Sequence, residues 1–259
     1  MKNPQNVHTH ITAEVKKYFT TSGHTKAVLG LSGGIDSALT LKLLSDALGP
    51  QNVTALIMPE TGVTKDENTF HAKGLCKYLQ VKHHVVPINK YLLDLLHLPW
   101  KPSRLSQMNT KARARAIVLY NFSNTETALV VGASNKSELL LGYGTKYGDL
   151  AHDINPIGNL YKTDVYALSE YLGLPDEIIK KAPSAELYKG QTDEEELGLP
   201  YKEIDKVLKA YESQDQDKAK TMEKLEEENP NFQKIRILDL LERIKKNEHK
   251  SKGPYIIGL

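Results

Sequence analysis

The chain has 259 residues, 40% of them hydrophobic, and its 34 basic side chains nearly balance 32 acidic ones for a net charge of +2. That length is enough to bury a core as one large domain, and the charge balance gives no electrostatic reason to expect a nucleic acid or an acidic membrane as partner. A lone cysteine, Cys76, excludes an internal disulfide framework and a CxxC metal site, and no run has the apolar length of a signal peptide or a membrane span, so a cytoplasmic protein is expected.

In chain order, residues 5–22 carry Val7, Ile11, Val15, Tyr18 and Phe19 at helical spacing and predict an amphipathic helix. Ala27-Val28-Leu29-Gly30-Leu31-Ser32-Gly33-Gly34-Ile35-Asp36-Ser37 then reads as a short apolar strand, a glycine turn and a helix opening at Asp36-Ser37. Adjacent glycines free the backbone for torsions closed to other residues and let N–H groups converge on an anion. A helix start adds unpaired N–H groups and the positive end of a dipole. Asp36 sets a negative charge where a phosphate would bind. Mg²⁺ reconciles the two, because it takes carboxylate and phosphate oxygens together. The stretch therefore predicts a Mg-pyrophosphate site. It is neither the common P-loop, which ends in Lys-Ser/Thr, nor GxGxxG.

Val53–Met58 predicts a strand covered on both faces. Asp66–Gln80 predicts a helix in which Cys76 lies with Ala72, Leu75 and Leu79 as a buried thiol, and Val81–Ile88 a third strand. A helix near Tyr91–Leu96 gives way at the prolines of Leu98-Pro99-Trp100-Lys101-Pro102. Asn109–Phe122 predicts a helix and Ala128–Gly132 a fourth buried strand. This alternation predicts an α/β fold, a doubly wound parallel sheet with ligands at the carboxyl ends of its strands. Both the glycine turn and Gly132-Ala133-Ser134-Asn135 fall there.

Beyond residue 142 the texture changes. Gly142–Asp149 interleaves glycine with polar and aromatic residues, as ligand-contacting loops do, and Lys162–Leu172 predicts a helix. Ala182–Gly198 is expected to be a long polar loop acting as a mobile lid. Its acidic run, Asp193-Glu194-Glu195-Glu196, disfavours permanent burial and so favours an open resting state. Residues 211–229 are charged with almost no apolar anchor and are expected to be an exposed linker or a solvated helix. A last amphipathic helix, Phe232–Ile244, precedes the basic tail His249-Lys250-Ser251-Lys252. No internal repeat appears, and residues 1–259 are expected to form one domain.

The Ser-Gly-Gly-x-Asp-Ser pattern at 32–37 resembles the signature of ATP pyrophosphatases, which cleave ATP to AMP and pyrophosphate while adenylating an acceptor. Further blocks follow in order: Gly132–Glu138, Gly142–Asp149, Asp153-Ile154-Asn155-Pro156-Ile157, Lys181-Ala182-Pro183-Ser184-Ala185-Glu186-Leu187 and His249-Lys250. With them, the chain from about residue 25 to 252 resembles the ammonia-dependent NAD synthetases. The resemblance implies a Rossmann-like sheet of the adenine nucleotide alpha hydrolase kind. It also implies a reaction in which ATP adenylates the nicotinate carboxylate of deamido-NAD and ammonia displaces AMP. A carboxylate is a poor acyl donor because a hydroxide-like oxygen cannot leave, whereas AMP can. Charge builds between the α- and β-phosphates as pyrophosphate departs, and that calls for Mg²⁺ and fixed cations.

By resemblance, Gly30, Leu31, Ser32, Gly33, Gly34, Ile35, Asp36 and Ser37 contact ATP together with Ala133, Lys162 and Ser184. Asp36 and Glu138 hold Mg²⁺, and Arg113, Lys146, Asp153, His249 and Lys250 contact deamido-NAD. Asp36, Lys162 and Asp149 are the candidate catalytic residues, with Lys162 neutralising the leaving group and Asp149 orienting ammonium or accepting its proton. Two positions depart from the family pattern: Ala133 stands where threonine is common, and Ser251 where arginine is common. Because the first strand begins near residue 27, no preceding glutamine amidase domain is expected, and ammonia is the expected nitrogen donor. A homodimer is implied, with deamido-NAD between subunits and helix 109–122 as interface through Ile117, Leu119, Tyr120, Arg113 and Arg115. Two other readings share the glycine turn. A tRNA-modifying pyrophosphatase is disfavoured by the net charge of +2 and the single cysteine. A nucleotide-binding module without turnover has no need of Asp36, Glu138 and Lys162 together.

Overall fold

Three short apolar runs and one polar, largely exposed edge segment form the strands: β1 (Lys26–Gly30), β2 (Val53–Ile57) and β4 (Ala128–Val131), with β3 (Lys82–Val85) as the polar one. All pair in parallel, in the order β3-β2-β1-β4. The structure is a computed structural model that describes residues 3–93, 95, 98–184, 188, 192–228 and 234–258.

Successive side chains leave a strand on opposite faces, and the sheet divides its residues accordingly. Ala27, Leu29, Val53, Ala55 and Ile57 enter one core with helices α1 (Pro4–Thr21), α2 (Ile35–Leu48) and α3 (Asp66–Tyr78). The helices α7 (Lys162–Tyr171) and α8 (Asp176–Ile179) complete that side. Val28, Leu56 and Val130 enter a second core with partly buried residues of α5 (Arg104–Glu126). A short helix, α4 (Asn89–Leu92), follows β3, and residues 94 and 96 of the helix expected near Tyr91–Leu96 lie outside the described residues. Helices cover both faces of the sheet, so the fold is the predicted doubly wound α/β type. The chain runs outward from β1 to β3, then returns to the other flank of β1 for β4. That reversal opens a crevice between the carboxyl ends of β1 and β4, the place where such sheets bind ligands.

A third, all-helical core lies against α7. It joins Leu141 of α6 (Lys136–Leu141) with residues of α10 (Tyr201–Ser213), α11 (Lys218–Glu228) and α12 (Lys234–Asn247). Here the structure corrects the sequence reading. The segment 211–229, expected to be an exposed linker or a solvated helix, contains the end of α10 and all of α11, with Thr221, Met222 and Leu225 buried. An apolar stripe that narrow is enough for a short helix when partners cover it on two sides. The long loop expected at 182–198 includes a helix, α9 (Asp193–Leu197); residues 185–187 and 189–191 lie outside the described residues. α5 begins five residues before the predicted Asn109, capped by Ser103, whose Oγ accepts from Ser106 N at 3.2 Å. In α1, Val15 and Phe19 are buried as expected, but Tyr18 is 40% exposed and donates from its hydroxyl to Asp153 O at 3.1 Å.

Cys76 is fully buried in α3, and burial pushes its thiol up to about 12. A thiol of that kind is protonated and shielded. An aromatic disulfide reagent at neutral pH is therefore expected to leave the native protein unlabelled and to label one thiol per chain in denaturant. Prompt labelling of the native protein would show that α3 does not cover this side of the core.

Candidate active site

The turn between β1 and α2 sits at the centre of the sheet's carboxyl edge. Gly33 has φ +81°, and a Cβ there would lie 2.5 Å from the Asn68 carbonyl oxygen, so no other residue fits. Gly34 is extended, with φ −90° and ψ 161°; only one of the two glycines uses its left-handed freedom. Ser32 N donates to Ser37 Oγ at 3.2 Å, Gly34 N donates to Ser32 Oγ at 3.2 Å, and Ser37 Oγ donates to Gly34 O at 3.0 Å. Those bonds fix the turn. The first N–H groups of α2 have no acceptor within the helix and carry its positive dipole end, which makes an anion cradle.

Three side chains from two further segments converge on Asp36 beside it. Lys162, the first residue of α7, is 1% exposed, and its Nζ lies 2.5 Å from Asp36 Oδ2 and 3.6 Å from Glu138 Oε1. Asn135 Nδ2 donates to Asp36 Oδ1 at 2.9 Å, crossing from the end of β4 to the start of α2. Asn135 and Glu138 also form a capping box on α6: Glu138 N donates to Asn135 Oδ1 at 3.0 Å, and Asn135 N to Glu138 Oε2 at 3.2 Å. Burial alone would lower Lys162, but the charges of Asp36 and Glu138 outweigh it and hold the ammonium above the ordinary lysine range. Burial, then the Asp36 charge, pushes the Glu138 carboxyl up to about 8 against the pull of Lys162.

A cavity of about 820 Å³ opens over this cluster, within the size of small-molecule sites. Gly30, Leu31, Ser32, Gly34, Ile35, Asp36 and Ser37 line it, as do Ala133, Glu138, Asp149, Lys162, Ser184 and Lys250. Asp149 accepts from Thr145 N at 3.0 Å, and burial raises its carboxyl in spite of that bond. Lys250 Nζ donates to Gly142 O at 2.9 Å and Gly144 O at 3.2 Å.

Arg113, Lys146 and His249 gather outside this lining. Arg113 Nε donates to Lys146 O at 3.3 Å and Lys146 Nζ to His249 O at 2.7 Å. Asp153 is not brought to the cavity. Its carboxylate accepts from Val130 N at 2.8 Å and from the Tyr120 hydroxyl at 3.4 Å. Ile154 bridges to Val131 and Asn155 Nδ2 donates to Ser134 O at 2.8 Å, so Asp153-Ile154-Asn155 braces the end of β4.

Sequence reasoning assigned no role to Asn135, although the Asn-x-x-Glu spacing before an apolar run signals a capping box. It also missed Tyr143 and the burial of Asp193 within the otherwise exposed acidic run. Asp193 is 4% exposed rather than held out in solvent. The Tyr143 hydroxyl lies 3.0 Å from Asp193 Oδ1 and 2.7 Å from Glu196 Oε2, and Tyr201 OH lies 3.4 Å from Asp193 Oδ2. Tyrosine donors offset the cost of burying a carboxylate, so the run seats α9 at the rim of the cavity.

Among the described residues no three His, Cys, Asp or Glu side chains gather as a metal cage. Asp36 and Glu138 offer oxygen donors only, which suits a hard cation that completes its shell with phosphate oxygens and water. The raised Glu138 carboxyl fits the same guest, because two carboxylates share one ammonium and the site is short of positive charge.

Comparison with known proteins places these features in a group. The NAD synthase family profile matches residues 7–254. The NH(3)-dependent NAD(+) synthetase of Fusobacterium nucleatum is 41% identical over 254 residues, covering 98% of this chain and 96% of that protein. The NH3-dependent NAD synthetase of Campylobacter jejuni, solved in complex with a nitrate ion, superposes with a TM-score of 0.82 at 37% identity, covering 99% of this chain and 100% of that one. The NMN synthetase of Francisella tularensis superposes with the same TM-score of 0.82 at 30% identity, covering 99% of each chain.

Removing one member of a buried ion cluster strands the others. Lys162→Met is expected to destabilise the protein by about 3 kcal/mol in urea unfolding. Asp36→Asn, which keeps a hydrogen-bonding group of the same shape and leaves Glu138 opposite Lys162, is expected to cost less. A Lys162→Met protein as stable as the parent would refute the account of the cluster.

Proposed function

The chain belongs to the NAD synthase family, and from that premise we propose how its own residues amidate deamido-NAD with ammonia at the expense of ATP, giving NAD, AMP and pyrophosphate. The observation that carries the reading is the buried Lys162 ammonium, set between Asp36 and Glu138 beside the anion-binding turn. The turn Gly30–Ser37 and the start of α2 receive the phosphate chain of ATP. Ala133 has no hydroxyl, so its contact is through its backbone or through Ser134, and Ser184 reaches the phosphates from the far wall. As pyrophosphate leaves, its new charge falls beside the Lys162 ammonium, which is already desolvated and oriented. Preorganised cations of this kind stabilise the transition state without reorganising. Mg²⁺, held by Asp36 and Glu138 when bound, offsets the charge of the two carboxylates and the phosphates.

The adenylated nicotinate then meets ammonia. Asp149, a buried carboxylate in the same cavity whose proton affinity burial raises, orients ammonium and accepts its proton. Lys250 faces the acceptor from the C-terminal side, and the linked Arg113, Lys146 and His249 supply positive charge for the pyrophosphate of deamido-NAD. Asp153 acts at this substrate from behind β4. The segment 182–198 serves as a lid that keeps water from the acyl-adenylate, its α9 end anchored by the Tyr143 contacts. The enzyme works in the cytoplasm, in keeping with its single, buried, unpaired Cys76. No described helix is long and apolar enough to cross a membrane.

The assay follows products. With ATP, ammonium and Mg²⁺, deamido-NAD is expected to yield NAD with one AMP per NAD, and Lys162→Met to lower turnover by about a hundredfold or more. Because one structural relative is named an NMN synthetase, the deamido mononucleotide is assayed beside the dinucleotide. AMP release that ignores deamido-NAD would overturn the reading.

The protein is a homodimer that uses the outer face of α5. Within that helix, Leu119 and Arg115 turn toward the cavity, and Tyr120 bonds Asp153, which leaves Ile117, 68% exposed, and Arg113 facing outward. Sedimentation at assay concentrations is expected to give a dimer, and Ile117→Asp a monomer. A fully active wild-type monomer would refute this assembly.

A further inference from the structure

Lys162 works only if the starts of α6 and α7 are fixed against each other, and one carboxylate outside the cavity joins them. Asp205 lies in α10, in the helical layer away from the sheet, and is 1% exposed. Its Oδ1 accepts from Ser137 Oγ at 2.5 Å, and its Oδ2 accepts from Thr163 N at 2.8 Å. Ser137 Oγ in turn accepts from Lys162 N at 2.9 Å. Asp205 therefore holds two consecutive backbone N–H groups at the first turn of α7, one directly and one through Ser137. Ser137 precedes Glu138 and Thr163 follows Lys162, so each grip is one residue from a group in the charge cluster. An anion at a helix start is favoured by the dipole and by N–H groups that lack a helical partner. A buried carboxylate satisfied by such donors is stiffer than one in water.

We infer that Asp205 is a positioning residue for the adenylation step: it does not touch the cavity, but it sets the Lys162 ammonium and the Glu138 carboxylate at their places beside the phosphate-binding turn. The inference rests on the proposed reaction. Its test is separable, because wild-type protein must make NAD before any variant is compared with it.

Asp205→Asn keeps the shape but offers only one acceptor oxygen, so either Ser137 or Thr163 loses its partner. Ser137→Ala removes the bridge to Lys162 N and leaves the Thr163 bond in place. Displacing a catalytic group by about 1 Å costs on the order of a hundredfold, so each variant is expected to lower kcat by about ten- to a hundredfold. KM for ATP and for deamido-NAD should change by less than about threefold, because the turn that binds phosphate is untouched. Rates are taken per folded molecule, well below each variant's melting temperature. A carboxylate that only stabilised α10 would lower the melting temperature and leave kcat per folded molecule at the wild-type value. That result overturns the inference, and so does a loss confined to KM. If Asp205→Asn does not fold, Ser137→Ala decides the matter by the same criterion. A wild-type protein that makes no NAD would refute the reaction instead.

Discussion

An ammonium group with almost no access to water is the constraint from which the rest of the molecule follows. Burying such a charge costs several kcal/mol unless opposite charges and hydrogen bonds replace its hydration. Lys162 meets that condition only because Asp36 arrives from the β1–α2 turn and Glu138 from the start of α6, while Asn135 holds Asp36 from the end of β4. None of these partners is close to Lys162 in sequence. The parallel order β3-β2-β1-β4 brings them together, because it sets the ends of β1 and β4 side by side. The charge cluster and the switch in strand order are thus one feature seen at two scales.

The sheet supplies the turn, and the helical layer supplies the precision. Its apolar core joins α6, α10, α11 and α12, and its polar side reaches toward the site at two places. Asp205 grips the start of α7. Tyr161, just before Lys162, donates to Glu212, which also pairs with Lys136 at 2.8 Å. Lys136 and Lys209 lie 4.8 and 4.7 Å from the Tyr161 ring. The residues on both sides of Lys162 are therefore tied to α10, and Lys250 comes back to the cavity from the segment after α12. This layer is a brace for the site rather than an appendage of the sheet.

The rim of the cavity shows a second use of the same physics. Asp193 would resist burial if left without donors, yet the hydroxyls of Tyr143 and Tyr201 meet it, and Tyr143 also reaches the exposed Glu196. Tyr201 serves two partners, since its ring also lies 5.1 Å from the Lys162 Nζ. Acidic charge at the rim and the buried ammonium beneath it share aromatic neighbours, so the wall that closes the cavity and the cluster at its floor are mechanically connected.

The sequence by itself determined the four strands, the glycine turn and the place of Asp36 at the helix start that follows it. Each of these is local: apolar runs, a required left-handed torsion at Gly33 and a carboxylate at a helix start are readable within a dozen residues. Family resemblance added Glu138, Lys162, Asp149 and Lys250, and all four line the cavity. Tertiary structure alone decided which charges meet. The solvated-helix reading of 211–229 misses only the burial of a few residues, Met222 and Leu225 among them, which join the core of α10 and α12; composition does not encode that cover. Within the acidic run Glu194, Glu195 and Glu196 are exposed, and only Asp193 is buried, because its donors, Tyr143 and Tyr201, stand far away in sequence or on another helix. Asp153, which the resemblance assigns to deamido-NAD, also braces the end of β4, while Asp205, an ordinary acid in an amphipathic helix, ends buried at the start of α7. The worth of a charged side chain depends on what replaces its water, and that is fixed only when the chain has folded.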